Sequence, residues 1–324
     1  MTPSALGLVS PRIQYFQAVV QLGSIRRASE ALRVAPSAIS RSIRQLELDL
    51  GTPLFERVRQ RLKLTSAAET LAHHARASQR ELSRACSFIE DLQGLRRGRI
   101  SVAAVESATR TLLPRVLAAF WQQHPNVTVD VQTAGSQEAV GALADGRCDL
   151  ALEFDVRLPR RCKRLASARL NLGALVPPTH PLADTGRAGV RLRDFASERV
   201  LLAGHTLTLG RLVDDAAHEA GVEFQVRAVS TSIHNLATLA RSGRGVTFQT
   251  RVGVEDEIDA GQLVFLPLLD RALRPRHLSM MVSAQGQLSD APASLASMLG
   301  QAIDELDEPA TTPAACRAPC PEVC

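Results

Sequence analysis

Residues 28–57 read ASEALRVAPSAISRSIRQLELDLGTPLFER. Within this stretch Ile39, Ile43 and Leu46 recur at the three- and four-residue spacing of one helical face, so a helix is expected over 37–48. Ala38, Ser40, Arg41, Arg44 and Gln45 are left on its outward or flanking positions. A helix that only filled a core would not need Ser37, Ser40, Arg41 and Arg44 together. Pro36 suits a helix entry, Ser37 can cap or begin the helix, and Gly51 stops it. Ser29 stands where a second alanine after Ala28 would be the natural choice.

Upstream, Ile13, Phe16, Val19 and Val20 predict a helix over about 12–22, ended by Gly23. Ser24 suits the N-cap of a second helix, Ile25 to Leu32, burying Ile25, Ala28 and Leu32. Two short helices joined by a tight turn match helix-turn-helix geometry, in which the second helix lies in the major groove with its N-terminal side chains at base edges. Small residues let its backbone approach, and arginine can donate two hydrogen bonds to guanine. Downstream, Arg57, Arg59, Arg61 and Lys63 fall on alternate residues after the anchors Leu54 and Phe55. Alternation is expected to put these four cations on one face of a hairpin, within reach of phosphates or the minor groove. The candidate DNA-contacting residues are thus Ser24, Pro36, Ser37, Ala38, Ser40, Arg41, Arg44, Arg57, Arg59 and Arg61.

Charge supports this placement. Residues 1–65 hold nine arginines and Lys63 against Glu30, Glu47, Asp49 and Glu56. The net charge of +5 over the 324-residue chain is therefore concentrated there, and the remainder is near neutral. A basic module on a near-neutral body is the asymmetry of a nucleic-acid binder.

Residues about 12–72 resemble the winged helix-turn-helix of the LysR-type transcriptional regulators. The resemblance is carried by Phe16, Gly23-Ser24, Ala28, Leu32, Ser37-Ala38-Ile39-Ser40, Ile43, Leu46-Glu47, Leu50-Gly51, Leu54-Phe55-Glu56-Arg57 and Leu64-Thr65. Two small-for-small departures from the family pattern are Ser29 and Ala68. Beyond the wing, Leu71, Ala75, Ser78, Leu82, Ala85, Ile89 and Leu92 step by four and three, which describes a coiled-coil seam. In the resembling family this linker helix pairs two DNA-binding domains. A helix packed on its own chain would show the same periodicity.

The stretch GLRRGR (94–99) reads as a hinge, after which strands and helices alternate. RISVAAV, VTVDVQTA and CDLALEF read as strands around two helices. LNLGALVP, RVLLAG, EFQVRAVS, GVTFQT, GQLVFLPL and LSMMVSA repeat the theme, and PASLASMLGQAIDEL is a closing amphipathic helix. This order implies α/β lobes with parallel sheets. The expected organisation is a helix-turn-helix domain over 1–65, a linker helix over 66–95, a two-lobed α/β domain over 96–306, and a Cys- and Pro-rich disordered tail over 307–324.

Ligands of open α/β sheets sit at the carboxyl ends of strands, near helix N-termini. The loops expected there are polar: Glu106 to Thr109, Ala134 to Ser136, Gly204 to Thr206, and Ser230 to Ser232. The resemblance extends over this region as an effector-binding domain similar in fold to periplasmic solute-binding proteins. It implies that Ser107, Ser136 and Thr206 line an effector cleft, with Phe248, Gln249 and Thr250 nearby. Thr109, His205 and Ser232 complete the candidate set. Each hydroxyl equally suits a helix cap. Glu106 opposes an open anion site unless Arg110 or another base neutralises it. Hydroxyl loops without a His/Cys/Asp ligand cluster favour a small organic acid over a sugar or a metal ion.

Enzyme signatures are missing: no Gly-rich phosphate loop, GxSxG or HExxH occurs. Adjacent His73 and His74 point to different faces, and no metal or cofactor is expected. The N-terminus lacks a basic leader with a sustained apolar run, and no stretch approaches the length of a membrane span. The expectation is a cytoplasmic regulator that binds promoter DNA as a homodimer or homotetramer, answers to a small effector and contacts RNA polymerase. The competing reading is an α/β solute-binding protein or enzyme with a helical appendage. Cys86, Cys148 and Cys162 read as buried thiols. Cys316, Cys320 and Cys324 are spaced by four in the tail, where Pro319 and Pro321 oppose a helix that would align them.

Overall fold

In a computed structural model, the structure describes residues 8–58, 61–92, 98–183, 188–284 and 288–308. Three helices come first: α1 (Pro11–Leu22), α2 (Ile25–Leu32) and α3 (Pro36–Leu50). Pro11 and Pro36 each open a helix, where the missing N–H would have had no partner. Ala35 is therefore the N-cap of α3, and Ser37 lies inside the helix rather than capping it. Gly23 and Gly51 end α1 and α3 with φ of 65° and 66°, a left-handed turn that favours glycine. Val19, Ala28, Ile39 and Ile43 form one small core, while Ile25 and Leu32 are half-buried at its edge. Ser29 is buried as well, and its Oγ donates to the Val34 carbonyl at 2.6 Å. An alanine could not make that bond.

The wing is a hairpin of β1 (Phe55–Val58) and β2 (Arg61–Leu64). Its register pairs Phe55 with Leu64, Glu56 with Lys63, Arg57 with Leu62, and Val58 with Arg61. Paired residues share a face, and this register pairs each odd position with an even one. Position 57 belongs with Phe55, Leu62 and Leu64, whereas positions 61 and 63 belong with Glu56 and Val58. The expectation of four cations on one face is thus corrected; Arg59 itself lies outside the described residues. Glu47 fixes the wing to α3 by accepting from the Leu54 N–H at 2.9 Å and the Phe55 N–H at 3.3 Å.

Next comes α4 (Ser66–Leu92), entered through Thr65, whose Oγ1 accepts from the Ala68 N–H. Ala68 and Ala72 pack with Phe16, Leu46 and Leu54. The expected seam therefore splits. Leu71 and Ala75 lie against or beside the module, Leu82 is half-buried, and Ser78, Ala85 and Ile89 are exposed. The side chain of Leu92 lies outside the described residues, as do positions 94–97 of the expected hinge and all of the tail from 309, including Cys316, Cys320 and Cys324.

The first lobe contains β3 (Arg99–Ala104), α5 (Glu106–Arg110), α6 (Leu112–Gln123), β4 (Thr128–Thr133), α7 (Ser136–Ala144), β5 (Leu150–Phe154) and β6 (Cys162–Leu170). The chain then crosses to the second lobe. There it forms β7 (Gly173–Val176), β8 (Arg199–Ala203), α8 (Thr208–Glu219), β9 (Gln225–Ser230), α9 (Ile233–Arg241), β10 (Val246–Gln249), α10 (Glu255–Asp259) and β11 (Val264–Pro267). It returns as β12 (Arg276–Ser283) and α11 (Asp290–Asp304).

The sheet orders are β4-β3-β5-β12-β6 and β11-β7-β10-β8-β9. Both sheets are mixed, which corrects the expectation of parallel ones. In each, three strands joined by helical crossovers are parallel; the strand that enters from the other lobe, β12 or β7, runs against them, and the strand that leaves, β6 or β11, pairs antiparallel with it and so runs with the three. Each lobe buries its own apolar cluster, around Phe120 and Leu152 in the first and Phe195 and Leu201 in the second. Cys148 and Cys162 are buried, but Cys86 is only half-buried. Burial, helped by the neighbouring Asp149, pushes the Cys148 thiol up to about 12, so it stays protonated and unreactive. Among the described residues no helix is long and apolar enough to cross a membrane.

Candidate functional site

Two surfaces carry the expected chemistry. On the first, Ser24 caps α2 by accepting from the Arg27 N–H. The turn into α3 passes through Arg33, whose φ of 54° is left-handed. Pro36, Ser37, Ser40, Arg41 and Arg44 are exposed along one side of α3, and Ala38 is half-buried among them. Their buried complement is Ile39, Ile43 and Leu46, which fixes how the helix is presented. Neither Arg41 nor Arg44 has an ion-pair partner among the described residues, so both guanidinium groups are free for an external acceptor. By contrast, Arg12 pairs with Asp49 at 2.9 Å and Arg26 with Glu30 at 3.2 Å. Positions 57 and 61 lie on the two strands of the wing, paired with positions 62 and 58.

The second surface is a cavity of about 530 Å³ between the lobes. Ser107, Ser136, Thr206 and Gln249 line it together with Thr250, Glu106, Arg211 and Arg276. The structure does not bring the other candidates to its wall. Phe248 points the opposite way from Gln249 because neighbours in a strand alternate, and it packs against Phe195 and Phe224 in the core of the second lobe. His205 is exposed and faces Asp214 at 3.1 Å. Thr109 turns back to donate to the Glu106 carbonyl. Ser232 caps α9, accepting from the Asn235 N–H.

The polar groups on the cavity wall differ in how far they are satisfied. Ser136 Oγ accepts from the Phe154 N–H at 3.0 Å. Arg276 is tied to Asp155 at 2.7 Å and lies over the Phe154 ring. Ser107 Oγ and both ends of the Gln249 amide are buried without a partner. Buried polar atoms left unpaired cost free energy, about 1–3 kcal/mol each. The first turn of α8 opens on the same cavity with no side-chain cap, leaving N–H groups and the positive end of the helix toward it.

The charge of Glu106 is not balanced by Arg110, which bonds Glu257 at 2.6 Å. Glu106 instead accepts hydrogen bonds from Ser232 and the start of α9. No local signal in the chain announces that contact, because its partners lie more than a hundred residues apart. Arg211 and Arg276, also missed from the sequence, come to the cavity by the same long-range folding.

Comparison with known proteins covers both surfaces. Residues 11–69 match the model of bacterial regulatory helix-turn-helix proteins of the lysR family, and residues 93–304 match the LysR substrate binding domain. A probable RuBisCO transcriptional regulator of Synechocystis sp. is 27% identical over 289 residues, covering 87% of this chain and 83% of its own. Full-length BenM superimposes with a TM-score of 0.52 at 25% identity, covering 92% of this chain and 98% of its own. A full-length OxyR variant from Pseudomonas aeruginosa gives 0.63 at 19% identity, covering 90% and 93%.

Proposed function

Because the chain belongs to the LysR family of bacterial transcriptional regulators, we propose that its inter-lobe cavity takes a small organic acid, and that this acid controls how the basic N-terminal surface engages a promoter. DNA-binding regulators of this kind are not enzymes, and the alternative of a solute-binding protein or enzyme with a helical appendage is not favoured. The observation that carries the ligand reading is the pair of buried, unpartnered groups on the cavity wall, Ser107 Oγ and the Gln249 amide. They stand on opposite lobes, so one ligand can bond to both only with the cleft drawn around it. The uncapped first turn of α8 and the exposed Arg211 supply the positive potential that favours an acid.

On the DNA side, α3 enters the major groove with Ser37, Ser40, Arg41 and Arg44 toward base edges, and the wing tip reaches the backbone. Ser24, Pro36 and Ala38 shape the approach of α2 and α3. Two copies joined through the exposed part of the α4 seam hold two half-sites, and a dimer of dimers extends the footprint toward RNA polymerase.

A thermal-shift screen of organic acids against the full-length chain tests the ligand. A ligand bound only by the folded cleft stabilises it by about 2.7 kcal/mol at a hundredfold excess over its dissociation constant. The expected result is an acid that raises the melting temperature of the native chain and much less that of Ser107→Ala. A best hit that is a neutral sugar, or one indifferent to Ser107, overturns the reading. For DNA, removing whichever of Arg41 and Arg44 reads a base is expected to cost about 1–3 kcal/mol at one position of the site. Removing Arg57, Arg59 or Arg61 should weaken all sequences alike and flatten the salt dependence.

A further inference from the structure

Glu106 is the first residue of α5 in the first lobe, yet its carboxylate is spent on the second lobe. Oε1 accepts from Ser232 Oγ at 2.7 Å and from the His234 N–H at 3.2 Å, and Oε2 accepts from the Ile233 N–H at 2.8 Å. The opening turn of α9 has three N–H groups to satisfy at positions 233, 234 and 235. Glu106 takes the first two, and Ser232 takes the third while donating its own proton to Glu106. The N-terminus of α9 is thus completed by a residue of the other lobe. A carboxylate at a helix N-terminus is also favoured by the helix dipole, and these charge-assisted bonds are the strong kind.

A second row of bonds runs beside the first. Arg110 bonds Glu257 and the Gly253 carbonyl, and Thr111 Oγ1 donates to Glu255 at 2.7 Å. Arg110 is taken by Glu257, and among the described residues no cation lies within ion-pairing distance of Glu106. The bonds made to its carboxylate are those from Ser232 and the first turn of α9.

We propose that Glu106 is a latch, a positioning residue that holds the two lobes together by capping α9 in the absence of effector. The effector then acts on a cleft already drawn shut along this side. When the lobes part, Glu106 and the first turn of α9 each return to water. The proposal rests on reading the cavity as the effector site, but its test needs no effector, so the two can fail separately.

The test uses the full-length chain without added ligand. Glu106→Ala, Ser232→Ala and the double variant are compared by chemical unfolding and by footprinting on the chain's DNA site. A latch makes the two substitutions strongly non-additive and changes the effector-free footprint. Formate added to Glu106→Ala can refill the capping position, and it is expected to return the melting temperature and the footprint toward those of the unaltered chain while leaving that chain unmoved. A residue that merely stabilised α5 would not respond to formate. Additive effects, an unchanged footprint, or failure of formate to rescue Glu106→Ala each overturn the latch. Should Glu106→Ala not fold, Ser232→Ala, which keeps both backbone donors, carries the test with a smaller shift of the footprint. An unchanged footprint there overturns the latch as well.

Discussion

The basic N-terminal surface and the inter-lobe cavity present their polar groups in opposite ways. On α3, Ser37, Ser40, Arg41 and Arg44 are exposed and already solvated, so the surface is complete without a partner. In the cavity, Ser107 Oγ and the Gln249 amide are buried and unpaired. On the proposed function, recognition on the first surface draws on several cations, each exchanging water and counterions for DNA, so the loss of one should weaken binding by degrees. On the same proposal each cavity group has already lost its water, so a missing hydroxyl should change which ligand fits. The difference also bears on backbone precision. An arginine reaching from an exposed helix tolerates small shifts, whereas a buried hydroxyl must be held in place.

Gly253 offers the sharpest way to break this contrast. Its φ is +90°, and a Cβ there would stand 2.8 Å from Ser107 Cα and from the Ser107 carbonyl oxygen. Glycine is needed both for the backbone conformation and for the close approach that seats α5. Gly253→Ala is expected to destabilise the two-lobed domain by about 3 kcal/mol and to weaken the ligand found for Ser107. Calorimetry and ligand titration would measure both, with intrinsic affinity for a single DNA half-site unchanged. A parallel loss of half-site affinity would mean that the two regions are not built independently.

Glu153 tests whether burial is as exacting away from the cavity wall. It is fully buried on β5, with Oε2 accepting from the Val156 N–H at 2.7 Å and Oε1 unpartnered. Burial raises its pKa from the ordinary 4.5 to about 7. The folded state therefore prefers the neutral acid. The stabilising contribution is full below the ordinary carboxylate pKa and is lost as pH rises through about 7. Glu153→Gln keeps the shape and removes the titration, so it should flatten the fall in stability between the ordinary carboxylate pKa and about pH 7, a difference of roughly 2 kcal/mol. Urea unfolding at mildly acidic and mildly alkaline pH measures it. Equal slopes for the two proteins would show that Glu153 is hydrated.

How far each region was legible follows from the range of its contacts. The three helices of the module are set by neighbours three and four residues apart and by Gly23 and Gly51, so their periodicity and stops could be read directly. The wing shows the limit even at short range. Counting alternate residues through the turn misplaces Arg57 relative to Arg61 and Lys63, because hairpin register, not sequence parity, decides the face. In the lobes, Ser107, Ser136, Thr206 and Gln249 were legible as polar loop or strand-end residues, and the cavity gathers them. Phe248 illustrates why adjacency is not enough, since one step along β10 turns from cavity to core. β6 escaped because Lys163, Arg164 and Leu165 are all exposed on its first half, which hides the alternation that starts at Ala166. Mixed sheets were missed because one strand in each, β12 or β7, enters from the other lobe and runs against its neighbours, a reversal that the alternation of strands and helices does not encode. The partners of Glu106 lie 126–128 residues away, beyond any local pattern.

Ser29 brings the comparison back to the module, on the smallest scale. Its hydroxyl is buried and donates to the Val34 carbonyl at 2.6 Å, while its own carbonyl accepts from the Val34 N–H at 3.1 Å. Both bonds close the turn that aims α3 away from α2. Unlike Ser107, this hydroxyl is satisfied within the fold, so its removal leaves a partner unpaired rather than a ligand unread. Ser29→Ala is expected to cost about 0.5–1.5 kcal/mol of module stability, the net worth of one such bond. The methyl side chain fits the same space, and α3 remains held by Ile39 and Ile43. DNA affinity at low temperature should then stay within about twofold, a change well under 1 kcal/mol, while the module melts earlier. Melting followed by circular dichroism, beside a gel-shift titration, separates the two effects. A large loss of affinity with unchanged melting would mean that the turn sets the aim of the recognition helix, and the module would then resemble the cavity in depending on a single buried group.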